Sequence, residues 1–135
     1  MANVSIVKGG ASPDAGEIRR MIEEAVNLLG GFESIIEEGD TVAVKPNILT
    51  GKLSGPGVTT DPRVIEALVR LSFDAGAGEV KIVEGAGYGV PTSEALELAG
   101  MKRVAEETGA VLVDVDRDET LEVEVPDPLI IEKIS

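Results

Sequence analysis

The chain of 135 residues contains no cysteine and no histidine. Without cysteine it can form no disulfide, no thiolate metal site and no cysteine-ligated iron–sulfur cluster of its own. Without histidine it lacks the commonest general base and metal ligand near neutral pH. Aromatic residues are almost missing as well. Phe32, Phe73 and Tyr88 are the full set, so any core must be built from aliphatic side chains. No run approaches the roughly 20 apolar residues that a membrane-spanning helix needs. The N-terminus lacks the basic and apolar regions of a secretory signal. Positive charge is scarce: 12 Lys and Arg stand against 25 Asp and Glu, for a formal net charge of −13. A surface that acidic repels nucleic acid and anionic membrane, both of which require a basic footprint. Together these absences predict a soluble, cytoplasmic chain with no nucleic-acid or membrane partner. The length suits one domain, residues 1–135, large enough to bury roughly 68–70% of its unfolded surface without staples.

What is present is organised around Thr41-Val42-Ala43-Val44-Lys45-Pro46-Asn47. An uninterrupted run of small and β-favouring residues between turn signals predicts a strand buried on both faces. Pro46 removes a ladder donor, so the strand should stop there and release Lys45 and Asn47 into a loop rich in glycine (Gly51, Gly55, Gly57).

The remaining segments alternate. Val4–Lys8 predicts a short strand ended by Gly9-Gly10. Ser12-Pro13 offers a helix cap and first turn, and Ile18, Ile22, Ala25 and Leu29 follow at helical spacing until Gly30-Gly31. Phe32–Glu38 predicts one short helical turn. Asp61-Pro62 marks a second helix start, followed by two apolar stripes: Val64, Leu68, Leu71 and Ala75, and Ile65, Val69 and Phe73. Val80–Glu84 predicts a strand, and Gly85-Ala86-Gly87-Tyr88-Gly89 a second glycine loop. Thr92 or Ser93 is the expected cap of a helix through Ala99. Gly100 interrupts, and Met101–Thr108 continues. Val111–Val115 and Leu121–Val125 are the expected last strands, the latter with Glu122 and Glu124 on a wet face. The tail from Leu129 to Ser135 is apolar. It should dock as a further element, or lead into more chain. The order β-α-β-α-β-α-β-β predicts a layered, Rossmann-like α/β domain, with a mostly parallel sheet flanked by helices.

In such a sheet the ligand crevice lies beyond the carboxyl ends of the strands. Lys8, Lys45, Asn47, Glu84 and Asp114 or Asp116 should gather at that rim, with both glycine loops and the helix starts near Asp61 and Thr92. Free N–H groups at helix starts and an ammonium group favour an anion. The expected ligand contacts are Lys8, Lys45, Asn47, Thr59, Thr60, Gly85, Gly87 and Gly89, and the expected ligand is small and anionic, a nucleotide or a phosphate. Lys45 and Glu84 are the candidates for acid–base chemistry, although a Lys–Glu pair is more often structural. The Gly85–Gly89 spacing, G-x-G-x-G after the third strand, departs from the dinucleotide fingerprint, and a tight turn explains it nearly as well. The first loop lacks the G-K-[ST] ending of a P-loop. Asp114, Asp116, Asp118 and Glu119 suit a divalent cation less well than they suit a solvated turn, and no metal site is assigned.

Several stretches have a family likeness. V-K-P-N-I-L (Val44–Leu49), G-V-T-T-D-P (Gly57–Pro62), D-A-G-A (Asp74–Ala77), E-G-A-G-Y-G (Glu84–Gly89) and T-G-A-V-L-V-D-V-D (Thr108–Asp116) together resemble the DUF362 family of bacterial and archaeal proteins. The resemblance runs from about Val4 to Asp118. It implies an N-terminal portion of a longer, two-part α/β pattern, often joined to a ferredoxin-type iron–sulfur domain, whose biochemical role is undefined. The family's later lysine- and histidine-bearing segment has no counterpart here, and with no cysteine the chain carries no cluster of its own. Three functions follow as expectations: binding a small anion at the rim; half of an enzyme built on Lys45 and Glu84; or an assembly module that meets a second domain or a second copy through its tail.

Overall fold

A computed structural model describes residues 3–49, 57–87, 89–127, 130–131 and 133–134. Residues 50–56, with Gly51, Lys52 and Gly55 of the first glycine loop, lie outside the described residues, as does Tyr88 of the second.

Three parallel strands form the sheet, β1 (Thr41–Val44), β2 (Glu79–Glu84) and β3 (Val111–Asp114), in the order β1-β2-β3. Val42 aligns with Val80, Val44 with Ile82, and Ile82 in turn with Leu112. Helix α1 spans Ala15–Asn27, α2 Pro62–Asp74, α3 Thr92–Leu98 and α4 Met101–Thr108. Helix α2 packs on β1, β2, α1 and α4, and α4 packs on β3, so these helices share one face of the sheet. The core lies between them. Val80, Ile82, Val69, Met101 and Val104 are fully buried there, with Ile65 and Leu96 nearly so. This is the predicted layered α/β arrangement, with helices on one side.

Helices α1 and α2 begin where a side chain supplies an acceptor. Asp61 caps α2 by accepting the Arg63 N–H at 2.9 Å, with Pro62 in the first turn as predicted. Helix α1 is capped by Asp14, which accepts the Glu17 N–H at 2.7 Å. Ser12 and Pro13 therefore stand ahead of the helix, and the expected Ser12 cap is corrected: the carboxylate two residues on takes the role. Helix α3 starts after Pro91, with no side-chain cap. Thr92 does not cap it, because its hydroxyl is engaged elsewhere. Gly100 separates α3 from α4 at φ 81°, a left-handed turn that favours glycine.

Other expectations change. Strand β1 is not buried on both faces. Only Val44 is buried, while Thr41 and Ala43 are exposed. An apolar run of small residues reads the same whether a strand is central or at an edge, and here β1 is the edge. The central strand is β2, whose burial alternates along its whole length. Val4–Lys8 is not a strand: it lies unpaired, with Val4 81% and Ile6 88% exposed. Leu29 falls outside α1 and is exposed, because the helix stops at Asn27, ahead of the glycine pair. Of Leu121–Val125 only Val123–Glu124 (β4) is extended. It pairs antiparallel with Lys133–Ile134 (β5) in a separate ribbon, and both of its residues are exposed. The tail thus docks as a short strand, anchored by Lys133 on Glu122 at 2.6 Å, and leaves Ile130 91% exposed.

Candidate functional site

Strand β1 ends where Pro46, fully buried, turns the chain. The loop after it is clasped at its base. The Asn47 N–H donates to Thr60 Oγ1 at 2.8 Å, the Thr60 N–H donates to Asn47 O at 2.9 Å, and Ile48 bridges Thr59. Thr59 is buried, and its hydroxyl has no partner among the described residues. Asn47 is exposed beside this clasp.

Strand β2 ends at Glu84, whose side chain is only 8% exposed. A buried carboxylate requires partners, and two are present. Lys45 Nζ donates to Glu84 Oε2 at 2.7 Å, and the Gly85 N–H donates to Oε1 at 2.8 Å. The predicted meeting of Lys45 and Glu84 is what the structure contains. The pair is lopsided, since the Lys45 side chain is 65% exposed. One of its three N–H donors is spent on Glu84, and the outer side of the ammonium faces solvent.

A second chain of bonds runs from the glycine loop to β3. The Ala86 N–H donates to Thr92 Oγ1 at 2.8 Å, and the Thr92 hydroxyl donates to Asp116 Oδ2 at 2.6 Å. The Asp116 N–H donates to Asp114 Oδ1 at 3.1 Å. Thr92 is 2% exposed. Its role was missed in the sequence because a threonine before a helical run reads as a cap. No local spacing links it to Asp116, 24 residues on.

The glycine turn after β2 meets Leu49. A Cβ added at Gly87 would stand 2.5 Å from the Leu49 carbonyl oxygen, which only glycine tolerates. The turn after β2 therefore lies against the segment that leaves β1. Not every predicted contact is available there. The N–H groups of Gly85 and Ala86 are already taken by Glu84 and Thr92. The start of α2 is filled by Asp61, whose carboxyl lies below its ordinary value because Arg63 hydrogen-bonds to it, against an opposing effect of burial. Arg63 is raised in turn. Lys8 is exposed and pairs with no acidic side chain among the described residues. Gly9-Gly10 next to it is tacked to α1, where Gly9 leaves room only for the Met21 thioether and the Gly10 N–H donates to Glu17 Oε1 at 2.8 Å. The rim thus holds Lys45, Asn47, Thr60, Glu84 and the Gly85–Gly87 turn.

Residues 42–135 match the model of a family described as a domain of unknown function, DUF362. The chain belongs to DUF362. It is also 34% identical over 74 residues to a thylakoid-associated protein of Synechocystis sp., a stretch covering 55% of this chain and 23% of that relative. The alignment thus spans about a quarter of the relative's length. No solved structure matches significantly. Among the described residues no helix is long and apolar enough to cross a membrane. The family match begins at Val42, so in this DUF362 chain it covers Lys45, Asn47, Thr60 and Glu84, and Lys8 lies ahead of it.

Proposed function

We propose that this DUF362 domain binds a small anionic ligand, a phosphate-bearing one such as a nucleotide, at the carboxyl rim of the sheet. The observation that carries the reading is the exposed ammonium of Lys45 held in place by the buried carboxylate of Glu84. An ammonium fixed by one bond keeps two donors directed outward, and a pre-positioned donor loses little freedom on binding. Asn47 and Thr60 flank it on the clasped loop, and Gly89 has open space where a Cβ would stand. Against the overall charge of −13, an anion would bind through this local arrangement and not through long-range attraction. Thermal melting with inorganic phosphate, AMP and ATP is the test. A ligand at 100 times its Kd that binds only the native state adds about 2.7 kcal/mol. The reading expects a rise in Tm with at least one of these that disappears in Lys45→Met. No rise with any of them, or an equal rise in the variant, would refute it.

A second reading has its own support. The 2.7 Å contact between Lys45 and Glu84 is within proton-transfer reach, as a general acid–base pair requires. Lys45→Arg separates the two: a guanidinium still meets an anion but does not give up its proton. Binding retained in that variant while turnover of a converted ligand is lost would favour an enzyme.

A further inference from the structure

Strand β1 is one of the two edges of the sheet, the other being β3. Outside β1 runs a groove of about 480 Å³. One wall is Thr41–Lys45, and Phe32, Ile36 and Leu68 give it an apolar floor. An edge strand with unpaired backbone groups accepts another strand. The same chain carries an unpaired segment of strand-like pattern, Val4–Lys8, whose Val4 and Ile6 are almost wholly exposed.

The position of α1 says where that segment belongs. Arg63 Nη1 donates to Pro13 O at 2.8 Å, and Arg19 meets Asp74 at 2.6 Å, so α1 runs in the same direction as α2 beside it. A crossover between parallel strands of one sheet is almost always right-handed. With β1, β2 and β3 in that order and α2 and α4 on one face, the same hand applied to α1 puts its preceding strand outside β1. We propose that Val4–Lys8 docks in cis into this groove as a fourth parallel strand, and that docking brings Lys8 to the rim beside Lys45. The occupant is the chain's own segment, since its connecting helix already lies where that crossover requires.

The register follows from side-chain alternation. Val4 beside Val42 and Ile6 beside Val44 send both apolar side chains toward the helices, and Ser5 then lies beside Ala43 on the open face. Lys8 reaches the level of Pro46, one residue from Lys45. The structure describes the undocked form, in which Gly9 and Gly10 are held against α1. The step that concerns Lys8 rests on the anion reading; the docking does not.

The test uses the absence of cysteine. Ser5→Cys with Ala43→Cys places two thiols one strand apart, about 4.8 Å between backbones, within disulfide geometry. Val111 lies in the same row as Ala43, since both align with Lys81, so Ser5→Cys with Val111→Cys is a control about 14 Å out of reach. Docking predicts a bridged monomer on a non-reducing gel, formed more than about tenfold faster than in the control because only the first pair meets the bridging distance. It also predicts that adding Ile6→Asp abolishes the difference. Rates equal to the control, or a bridged dimer in place of a monomer, overturn the proposal. Inorganic phosphate should accelerate bridging several-fold in the first pair if Lys8 joins the rim. A bridge that forms at a rate indifferent to phosphate, in a chain whose Tm phosphate does raise, keeps the strand and overturns the link to Lys45; indifference with no rise in Tm marks failure of the anion reading instead.

Discussion

The two long margins of β2 and β1 differ sharply although the strands are neighbours. Along β2 every second residue is shut in. Val80 and Ile82 have no exposure, and Glu84 closes the strand with both carboxylate oxygens bonded. Along β1 only Val44 is buried, and the outer side borders an open groove. The contrast shows how this small domain divides its work. The central strand supplies rigidity and a fixed anchor. The edge strand supplies the group that the anchor holds, Lys45, and a surface still able to accept something. A carboxylate buried at the end of β2 would be costly alone, and the exposed lysine just past β1, with the Gly85 N–H, is what makes it tolerable. The same pairing gives the lysine its position.

Substitutions test that contrast in descending order of effect. Ile82→Ala in β2 should destabilise by about 2–5 kcal/mol, as removal of a buried aliphatic side chain does, whereas Thr41→Ala in β1 should stay within about 0.5 kcal/mol. Urea denaturation measures both, and similar losses would erase the distinction. Lys45→Met should cost about 1–3 kcal/mol, because a buried acceptor loses its charged partner. Glu84→Gln together with Lys45→Met should recover part of that loss, since no charge is then left without a partner.

Thr92→Val should follow at about 1–2 kcal/mol, through the Ala86 N–H and Asp116 left unmatched. Amide exchange should locate the loosening at Gly85–Gly87, with β1 unaffected. Asp61→Ala should cost about 1 kcal/mol of cap energy and also change the acid limb of the stability curve. The Asp61 carboxyl is lower in the folded chain than its ordinary 3.8, so folding favours the ionised form. That contribution is complete above about pH 4 and fades as pH falls through the lowered folded value. The variant should therefore lose less stability between pH 4 and acid than the native chain, by denaturation at stepped pH. Smallest of all, Arg103→Ala on the exposed face of α4 removes an i,i+4 pair with Glu107 and should change stability by about 0.5 kcal/mol or less.

Much of this was legible in the sequence, for reasons that differ by residue. Helix α4 was readable to its limits because Gly100 and Gly109 punctuate it on both sides. Asp61-Pro62 announced α2, since cap and first turn are local chemistry. The meeting of Lys45 and Glu84 was also legible, because parallel strands deliver their last residues to one rim. What failed was non-local. Whether Thr41–Val44 lies at the centre or the edge depends on its neighbours in the sheet, and its own side chains do not record them. Thr92 looked like a cap, and only the arrival of Asp116 from β3 turned it into a link. Val4–Lys8 has the alternation of a strand, yet pairing requires a free partner edge and release from α1, neither of which is written in five residues. Of the predicted ligand contacts, Gly85 illustrates the same limit: its backbone donor looked available until the Glu84 side chain was seen to fold back on it.

The central claim is that Glu84 holds the Lys45 ammonium ready for an anion. Side-chain amino-group NMR of the lysines, followed as inorganic phosphate is added, tests it most directly. The account predicts that the Lys45 signal moves early and saturates, while exposed Lys102 on α4 barely responds. A Lys45 signal that stays still, or that drifts in step with Lys102 without saturating, would contradict it.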